Sequence, residues 1–333
     1  MDVMGLWDSF SNRIATIYLP DRKRPMLPTI LSDNLCSLRE NEDRFAFTLD
    51  LYIKENKIYD YKFINTVINV NKNLRYDTKE QEENKIYKEL KCIIMKMNNK
   101  YKYIDKIKTS HELIAYLMVL MNNYSAKELI KYKDGIYRSA KLNDNYIPRE
   151  DLRPEIKKFL KIWNSFGGKY CKYKDMQGHD LLKLESYVHI SSPIRRLVDL
   201  LTMLILQDKL SLFKLTNDSK KFYEKWTNDD NIEYINKTMR SIRKIQDDCA
   251  LLKLCMDNKE KYINKEYEGF VFDKIERNDG LYQYIIYINE LNMVKRFTTR
   301  HNIDNNTYQC CGLYIFMDEI NFKNKIMVEV LKI

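Results

Sequence analysis

The 333-residue sequence is poor in histidine, and its seven cysteines lack the spacing of a metal site. Its four histidines and seven cysteines are scattered along the chain, and no two cysteines have the C-x-x-C spacing. Structural zinc sites and disulfide frameworks need such ligands at short, regular intervals, so the sequence argues against both. We therefore expect reduced thiols, most of them buried.

Long apolar runs are also missing. No segment approaches the roughly 20 apolar residues that span a bilayer. The N-terminal residues MDVMGLWDSF lack the basic lead and the apolar stretch of a secretion signal. These absences predict a cytoplasmic protein with no membrane partner. The apolar fraction of 44% is sufficient for one large core and a smaller module.

Basic residues outnumber acidic ones, with 57 Lys and Arg against 47 Asp and Glu and a net charge of +10. Such an excess suits a polyanionic partner. The chain is also crowded with Lys, Asn, Ile and Tyr, whose codons are rich in A and T. Because a biased genome would produce the same charge, the charge gives only weak support for a nucleic-acid partner.

Residue spacing predicts an α+β fold. Alternating apolar residues predict two antiparallel strands, and helical spacing predicts several helices, one of which has Ser110 as its N-cap. The predicted strands are 44–53 and 58–70, and the predicted helices are 79–98, 108–132, 155–164 and most of 216–260. After residue 262, short alternating segments separated by polar turns predict a small β-barrel.

The stretch SYVHISSPIRRLVDLL, residues 186–201, contains a helix start of unusual charge. Ser192 is a suitable N-cap and the proline after it suits the first turn, while the apolar residues that follow predict a buried helix. Arg195 and Arg196 then lie at the positive end of the helix dipole, where acids are usually found.

Two explanations for these arginines are open. A bound phosphate would accept hydrogen bonds from the guanidinium groups and from the free N–H groups of the helix start. Alternatively, the arginines pair with structural carboxylates, and Asp199 is one candidate.

Two stretches resemble a known family. YVHISSPIRR resembles the YxHFTSPIRRY signature of RNB-type exoribonucleases, the ribonuclease II and ribonuclease R kind. YLPDRKRPMLPTILSDNLCSLRENEDRFAF resembles their YLxxxxxPMLPxxLSxxLCSLxxNxxRxAF stretch. The resemblance implies a partial RNB-like domain over residues 1–262, a truncated mixed sheet with packed helices. It implies an OB-like RNA-binding barrel over residues 263–333.

The resemblance also implies roles for five residues. Arg195 would contact the phosphate beside the scissile bond as a catalytic residue, with Ser192 and Arg196 supporting RNA binding. Tyr18 matches an aromatic that stacks on RNA bases, and Tyr76 matches the tyrosine near the terminal nucleotide. Since the chain contains 25 tyrosines, a match of tyrosine to tyrosine carries little information.

The sequence departs from the family in its acids. The family hydrolyses single-stranded RNA from the 3′ end with divalent metal held by a D-x-x-x-x-x-D-x-D-D cluster, a few tens of residues before the YLP stretch. Here YLP begins at Tyr18, and Asp2 and Asp8 are isolated. Asp247 and Asp248 are neighbours on a predicted helix and point about 100° apart, so they do not converge. We expect no metal ligands in this chain, and Mg²⁺ only if the missing segment is supplied.

Three hypotheses follow from these matches and departures. The chain is part of an exoribonuclease whose aspartate cluster lies upstream or on a second chain, an inactive RNA-binding protein, or a structural scaffold. The family's HxLIEExM stretch appears here as HELIAYLM, in which Ala115 and Tyr116 replace its glutamates. The loss of these glutamates favours the hypothesis of a protein that binds single-stranded RNA and does not cut it independently.

Overall fold

A computed structural model describes Trp7, residues 13–143, Ile147 and residues 149–331. Contacts divide the chain into two compact units. The first unit contains the described residues of Met1–Ile17, Arg24–Leu142 and Ser165–Met239. The second contains those of Tyr18–Lys23, Asn143–Asn164 and Arg240–Ile333.

Helices and strands are mixed up to residue 262, and strands predominate after it. Up to residue 172 they are β1 (Ile17–Tyr18), β2 (Lys23–Arg24), a π-helix (Ile30–Leu35), β3 (Asp43–Lys54), β4 (Lys57–Asn69), α1 (Lys79–Glu83), α2 (Lys85–Lys100), α3 (Ser110–Lys131), β5 (Ile136–Lys141), α4 (Pro154–Trp163) and β6 (Phe166–Lys172). Two 3-10 turns (Tyr173–Asp175 and Asp180–Leu182), α5 (Leu197–Lys209), α6 (Asn217–Trp226), α7 (Asp229–Asp257), α8 (Lys259–Tyr262), β7 (Tyr267–Glu276), β8 (Tyr282–Ile288), a 3-10 turn (Asn289–Leu291), β9 (Met293–Thr299), β10 (Thr307–Asp318) and β11 (Lys323–Val330) follow. None of the described helices is both long and apolar enough to cross a bilayer.

Strands β3 and β4 form the predicted antiparallel hairpin. Glu55 and Asn56 connect them with φ angles of 51° and 60°, the left-handed conformation of a tight two-residue hairpin turn. Phe47 stacks on Phe63 with ring centroids 5.5 Å apart, on the face that packs into the core of the first unit. The predicted alternation and the observed register therefore agree, and the strand prediction is confirmed to within one residue at each end.

The helix predicted over 108–132 is confirmed, but its predicted cap is wrong. Thr109, not Ser110, precedes the helix, and its hydroxyl accepts from the backbone N–H of Glu112. The Glu112 carboxylate accepts from the Thr109 N–H at 2.8 Å, which completes a capping box. Ser110 is the first helical residue, and its hydroxyl donates to Asp77 at 2.7 Å.

The core of the first unit forms around α3 and α5. Both helices are apolar on most of their faces because other elements cover them on several sides. Leu113 and Leu129 of α3 and Leu201 and Leu206 of α5 are fully buried there. The β5–β6 pair lies beside a short extended segment, because Tyr137 of β5 also pairs with Val188.

The second unit contains a five-stranded antiparallel sheet with strand order β11-β10-β7-β8-β9. Its edge strands β9 and β11 lie side by side, so the sheet is a nearly closed barrel. Gly269 of β7 has no side chain where a Cβ would collide with Ile286. The expected α+β class with a C-terminal barrel is thus confirmed. The domain boundary proposed at residue 262 stays a prediction.

Candidate functional site

The SPIRR segment forms a turn before its helix. The backbone N–H groups of Arg195 and Arg196 both donate to the carbonyl of Ser192, at 3.2 and 3.1 Å. Helix α5 begins only at Leu197, and Arg196 is the residue that precedes it. The prediction of Ser192 as the N-cap is therefore wrong, because Ser192 starts the preceding turn instead.

Asp199 holds this turn closed. Its Oδ1 atom accepts from the backbone N–H of Ser192 at 2.8 Å and from the Arg196 guanidinium at 2.7 Å. The Asp199 side chain is 0% exposed. Burial raises the pKa of Asp199, and the Arg196 guanidinium opposes that rise. The carboxylate lies in the first turn of α5, so this acid also compensates the positive helix end.

The two arginines consequently have different surroundings. For Arg196, the explanation by a structural carboxylate holds, because its guanidinium is paired with Asp199. The Arg195 side chain is exposed. Within the residues that the structure describes, its guanidinium has no hydrogen bond or ion pair. RNA contacts by Ser192, Arg195 and Arg196 stay predictions.

The backbone of the turn is anchored to a segment far away in sequence. Thr16 donates its N–H to the Arg195 carbonyl at 2.9 Å, and Leu197 donates to the Ile14 carbonyl at 2.8 Å. Ala15 and Arg196 form an antiparallel β-bridge between these two hydrogen bonds. Arg195 therefore has a fixed backbone and a free side chain, which is the arrangement of a preorganised binding residue.

The extended segment that leads into the turn is held by a buried amide. Asn122 of α3 donates to the Tyr187 hydroxyl at 2.8 Å and accepts from the Ile190 N–H at 3.1 Å. Burial raises the pKa of Tyr187. His189, which lies between Tyr187 and Ile190 in the sequence, shares a hydrogen bond of 2.8 Å with the Tyr170 hydroxyl. Sequence reasoning missed Asn122, although an amide in the apolar run LMVLMNN was the available signal.

The two predicted stacking tyrosines have contacts different from those of the turn. Tyr76 is half-exposed and stacks on His111, with ring centroids 4.1 Å apart and planes 13° from parallel. Tyr18 is also half-exposed, and its N–H donates to the Gln246 side chain at 2.9 Å in the second unit. The structure thus brings together Ser192, Arg195 and Arg196. The RNA roles of Tyr18 and Tyr76 stay predictions.

The acids that the structure describes do not form a site for Mg²⁺. Among the residues that the structure describes, no three His, Cys, Asp or Glu side chains are grouped so that they could hold a metal ion. Asp248 instead pairs with Lys295, and Asp229 pairs with Lys172 at 2.9 Å. Asp2 and Asp8 lie outside the described residues. The donor set present therefore does not fit the divalent ions that phosphodiester cleavage needs.

Comparisons with known proteins point to one family. An RNB domain model matches residues 5–85. Ribonuclease R of Chlamydia pneumoniae is 25% identical over 267 residues, a match that covers 61% of this chain and 40% of that protein. Ribonuclease R homologues of this kind recur among curated bacterial proteins.

Solved structures have the same fold. Mycoplasma genitalium RNase R in complex with ribose methylated single-stranded RNA has a TM-score of 0.64 at 16% identity, and the match covers 96% of this chain and 60% of that chain. Yeast Ssd1, described as a pseudonuclease, has a TM-score of 0.66 at 14% identity, covering 87% of this chain and 43% of that one. The chain thus spans less than two thirds of the proteins it matches.

Proposed function

We propose that this chain, which belongs to the RNB family and is related to its exoribonucleases, binds single-stranded RNA and does not cut it unaided. The observation that carries the proposal is the exposed Arg195 guanidinium on a turn whose backbone is fixed on both sides. An arginine held in this way can contact a phosphate through two parallel hydrogen bonds without first ordering its backbone.

The Arg196–Asp199 pair supports this assignment through charge. Asp199 accepts a hydrogen bond from Arg196, whereas it acts on Arg195 only through its charge, without a hydrogen bond. The positive charge of Arg195 is then available to an incoming anion. RNA carries one phosphate per nucleotide, so such a residue contributes affinity that does not depend on base sequence.

The half-exposed tyrosines fit the same ligand. Tyr76 already stacks on His111 on one side, and its exposed area leaves room for further ring contacts. Tyr18 is similarly exposed. A base that stacks on either ring would add roughly 1–3 kcal/mol of binding free energy without sequence preference. The RNase R neighbour solved with single-stranded RNA supports RNA as the class of ligand.

The absence of cutting follows from the donor set. The described residues hold no carboxylate cluster for Mg²⁺, whereas RNA cleavage by this route needs converging oxygens on two ions. Cleavage would then require the aspartate cluster and its Mg²⁺ from an upstream segment or from a second chain. Under that arrangement, this chain would supply the phosphate contact through Arg195.

Binding to a fluorescently labelled single-stranded RNA, measured by anisotropy across a salt series, tests the proposal. We expect Arg195→Ala to weaken binding about 10- to 100-fold, since a hydrogen bond to a charged group is worth about 1.5–3 kcal/mol. The magnitude of the slope of log K against log salt should fall by about 0.7, because one phosphate contact to a single strand is lost. Arg243→Ala removes another exposed arginine, on α7, and serves as the matched control.

Three outcomes would contradict parts of this proposal. Unchanged binding by the Arg195→Ala protein would remove the phosphate contact from this turn. Failure of the wild-type chain to bind RNA at low salt would leave the structural-scaffold hypothesis. Shortening of the RNA from its 3′ end by the purified chain with Mg²⁺ would show that it cuts unaided.

A further inference from the structure

The tip of the β10–β11 hairpin presents large apolar side chains to solvent. Ile320 and Phe322 lie in its loop, and each is 90% exposed. Met317 and Phe316, near the end of β10, are 56% and 47% exposed. Single exposed apolar residues are ordinary on protein surfaces, whereas a cluster of them marks an interaction site. The tip is therefore a candidate interaction surface.

The loop at this tip has a defined shape. The Asp318 carboxylate accepts from the backbone N–H of Asn321 at 3.0 Å, from the Asn321 side-chain amide, and from the Lys325 ammonium. Phe322 has a φ of 49°, a left-handed conformation that is unfavourable for an aromatic residue. Backbone strain of this kind is kept where surrounding contacts fix it, and it is frequent at functional sites. Because the loop backbone is already ordered, binding through it would cost little conformational entropy.

The charges at the tip balance. Asp318 and Lys325 form an ion pair with each other. Glu319 precedes the apolar loop residues and Lys323 follows them, and both are exposed. In the part of the chain that the structure describes, neither of these two side chains has an ion pair. The tip therefore has one unpaired acid and one unpaired base, at the two ends of its loop, and no net charge.

This arrangement is complementary to itself. When two identical surfaces meet across a two-fold axis, a residue that contacts a second residue on the other copy is matched by the reverse contact. Glu319 of each copy would then lie beside Lys323 of the other, with Ile320 and Phe322 of both copies between the two pairs. An apolar centre with a polar rim is the usual composition of a protein–protein interface.

Nucleic acid and anionic membranes fit the tip less well. Both attract surfaces that carry an excess of cations, whereas the two acids and two bases of the tip cancel. The chain as a whole carries a net charge of +10, so two copies repel each other over most of their surface. A tip without net charge is a place where two copies can approach.

We propose that the tip of the β10–β11 hairpin, residues 317–323, joins two copies of this chain in a symmetric dimer. Ile320 and Phe322 form the centre of the contact, and Glu319 and Lys323 form its rim. The inference stands on the exposure, the ordered loop and the charge balance of the tip, so it does not depend on the proposed RNA binding.

The apolar area of the tip limits the strength of the dimer. From the area that an aromatic side chain buries, the tip offers on the order of 500 Å² per copy, less than the roughly 800 Å² of a standard interface. We therefore expect a dimer that forms at high protein concentration and dissociates on dilution.

Sedimentation equilibrium of the full chain, at protein concentrations from about 1 to 300 µM, measures this equilibrium. We expect the wild type to show a reversible monomer–dimer equilibrium. Ile320→Ser/Phe322→Ser should raise the dissociation constant at least about 100-fold, because the apolar centre is lost from both copies. Ile275→Ser changes an exposed apolar residue of β7 and is the matched control, which should dimerise like the wild type.

Charge variants test the two-fold arrangement. Glu319→Lys gives the tip two unpaired bases and Lys323→Glu gives it two unpaired acids, so each variant alone brings like charges together at both pairs. We expect each to raise the dissociation constant about tenfold or more. An equimolar mixture of the two variants should form a mixed dimer, because every base then faces an acid. Fluorescence-detected sedimentation with one variant labelled identifies the mixed dimer.

Four outcomes would overturn the inference. The first is a wild-type chain that stays monomeric over the whole concentration series. The second is a dimer that survives Ile320→Ser/Phe322→Ser, because another surface then joins the copies. The third is a mixture of the two charge variants that forms no mixed dimer. The fourth is flotation of a monomeric wild type, but not of the serine variant, with phosphatidylserine vesicles, which would make the tip a membrane contact. Thermal melting of the variants checks that they fold.

Discussion

Two short segments of this chain, one in each unit, are held by a single aspartate in the same way. In the first unit, Asp199 accepts from a backbone N–H and from Arg196, and this closes the turn that carries Arg195. In the second unit, Asp318 accepts from a backbone N–H and from Lys325 at the tip of the β10–β11 hairpin. Each aspartate thereby has an exposed neighbour, Arg195 in the first unit and Phe322 in the second.

The surroundings of the two aspartates shift their pKa values in opposite directions. Burial raises the pKa of Asp199, which is fully enclosed. Hydrogen bonds from Lys325 and Asn321 hold the pKa of Asp318 below its usual range. The Asp199 carboxylate therefore depends on its Arg196 partner, because desolvation is the dominant effect there. At Asp318 the hydrogen bonds outweigh desolvation, so they favour the charged carboxylate.

The largest effect should come from breaking the buried pair. Arg196→Ala leaves the Asp199 carboxylate without its counter-charge, so we expect the first unit to lose about 3–5 kcal/mol of unfolding free energy at pH 7. Because burial raises the pKa of Asp199 in the folded protein, the contribution of this group to stability falls as pH rises. At low pH the carboxyl group is protonated, so the variant no longer contains an unpaired buried charge. The loss should therefore shrink between pH 7 and pH 5, as measured by urea denaturation. An equal loss at both pH values would refute this account of Asp199.

A smaller, local effect should follow acidification of the hairpin tip. Since the pKa of Asp318 is lowered, its contribution is present above the ordinary aspartate pKa of about 4 and is lost as pH falls below it. The amide proton of Asn321, followed by NMR, should therefore titrate with a midpoint below pH 4. Asp318→Asn should abolish the titration. A midpoint at or above 4 would show that the hydrogen bonds to Asp318 are weak in solution.

The smallest effect should come from the exposed arginine. Arg195→Ala removes no described contact of its side chain, so the free energy of unfolding should change by less than about 0.5 kcal/mol. Urea denaturation beside Arg196→Ala checks this directly. A loss of 1 kcal/mol or more would mean that Arg195 has a structural partner, and the difference between the two arginines would disappear.

Local patterns were sufficient for much of the fold. The β3–β4 hairpin follows from alternation and from two turn residues, and the barrel strands follow from short alternating segments. Helix caps were less predictable, because a cap depends on the backbone conformation of the residue as well as on its type. Thr109 is extended and caps α3, whereas the neighbouring Ser110 has an equally suitable side chain but lies inside the helix.

The sequence by itself determined the family motifs, the apolar character of the α5 helix, and Asp199 as a candidate partner for an arginine. Only the tertiary structure decided which arginine that partner takes. Arg196 is extended, with φ of −140°, because it pairs with Ala15, which lies about 180 positions earlier in the chain. Because of that pairing, the helix begins only at Leu197. Arg196 then lies beside Asp199, and the Arg195 side chain stays exposed. A contact between such distant residues leaves no signal in the local spacing from which helices and strands are predicted.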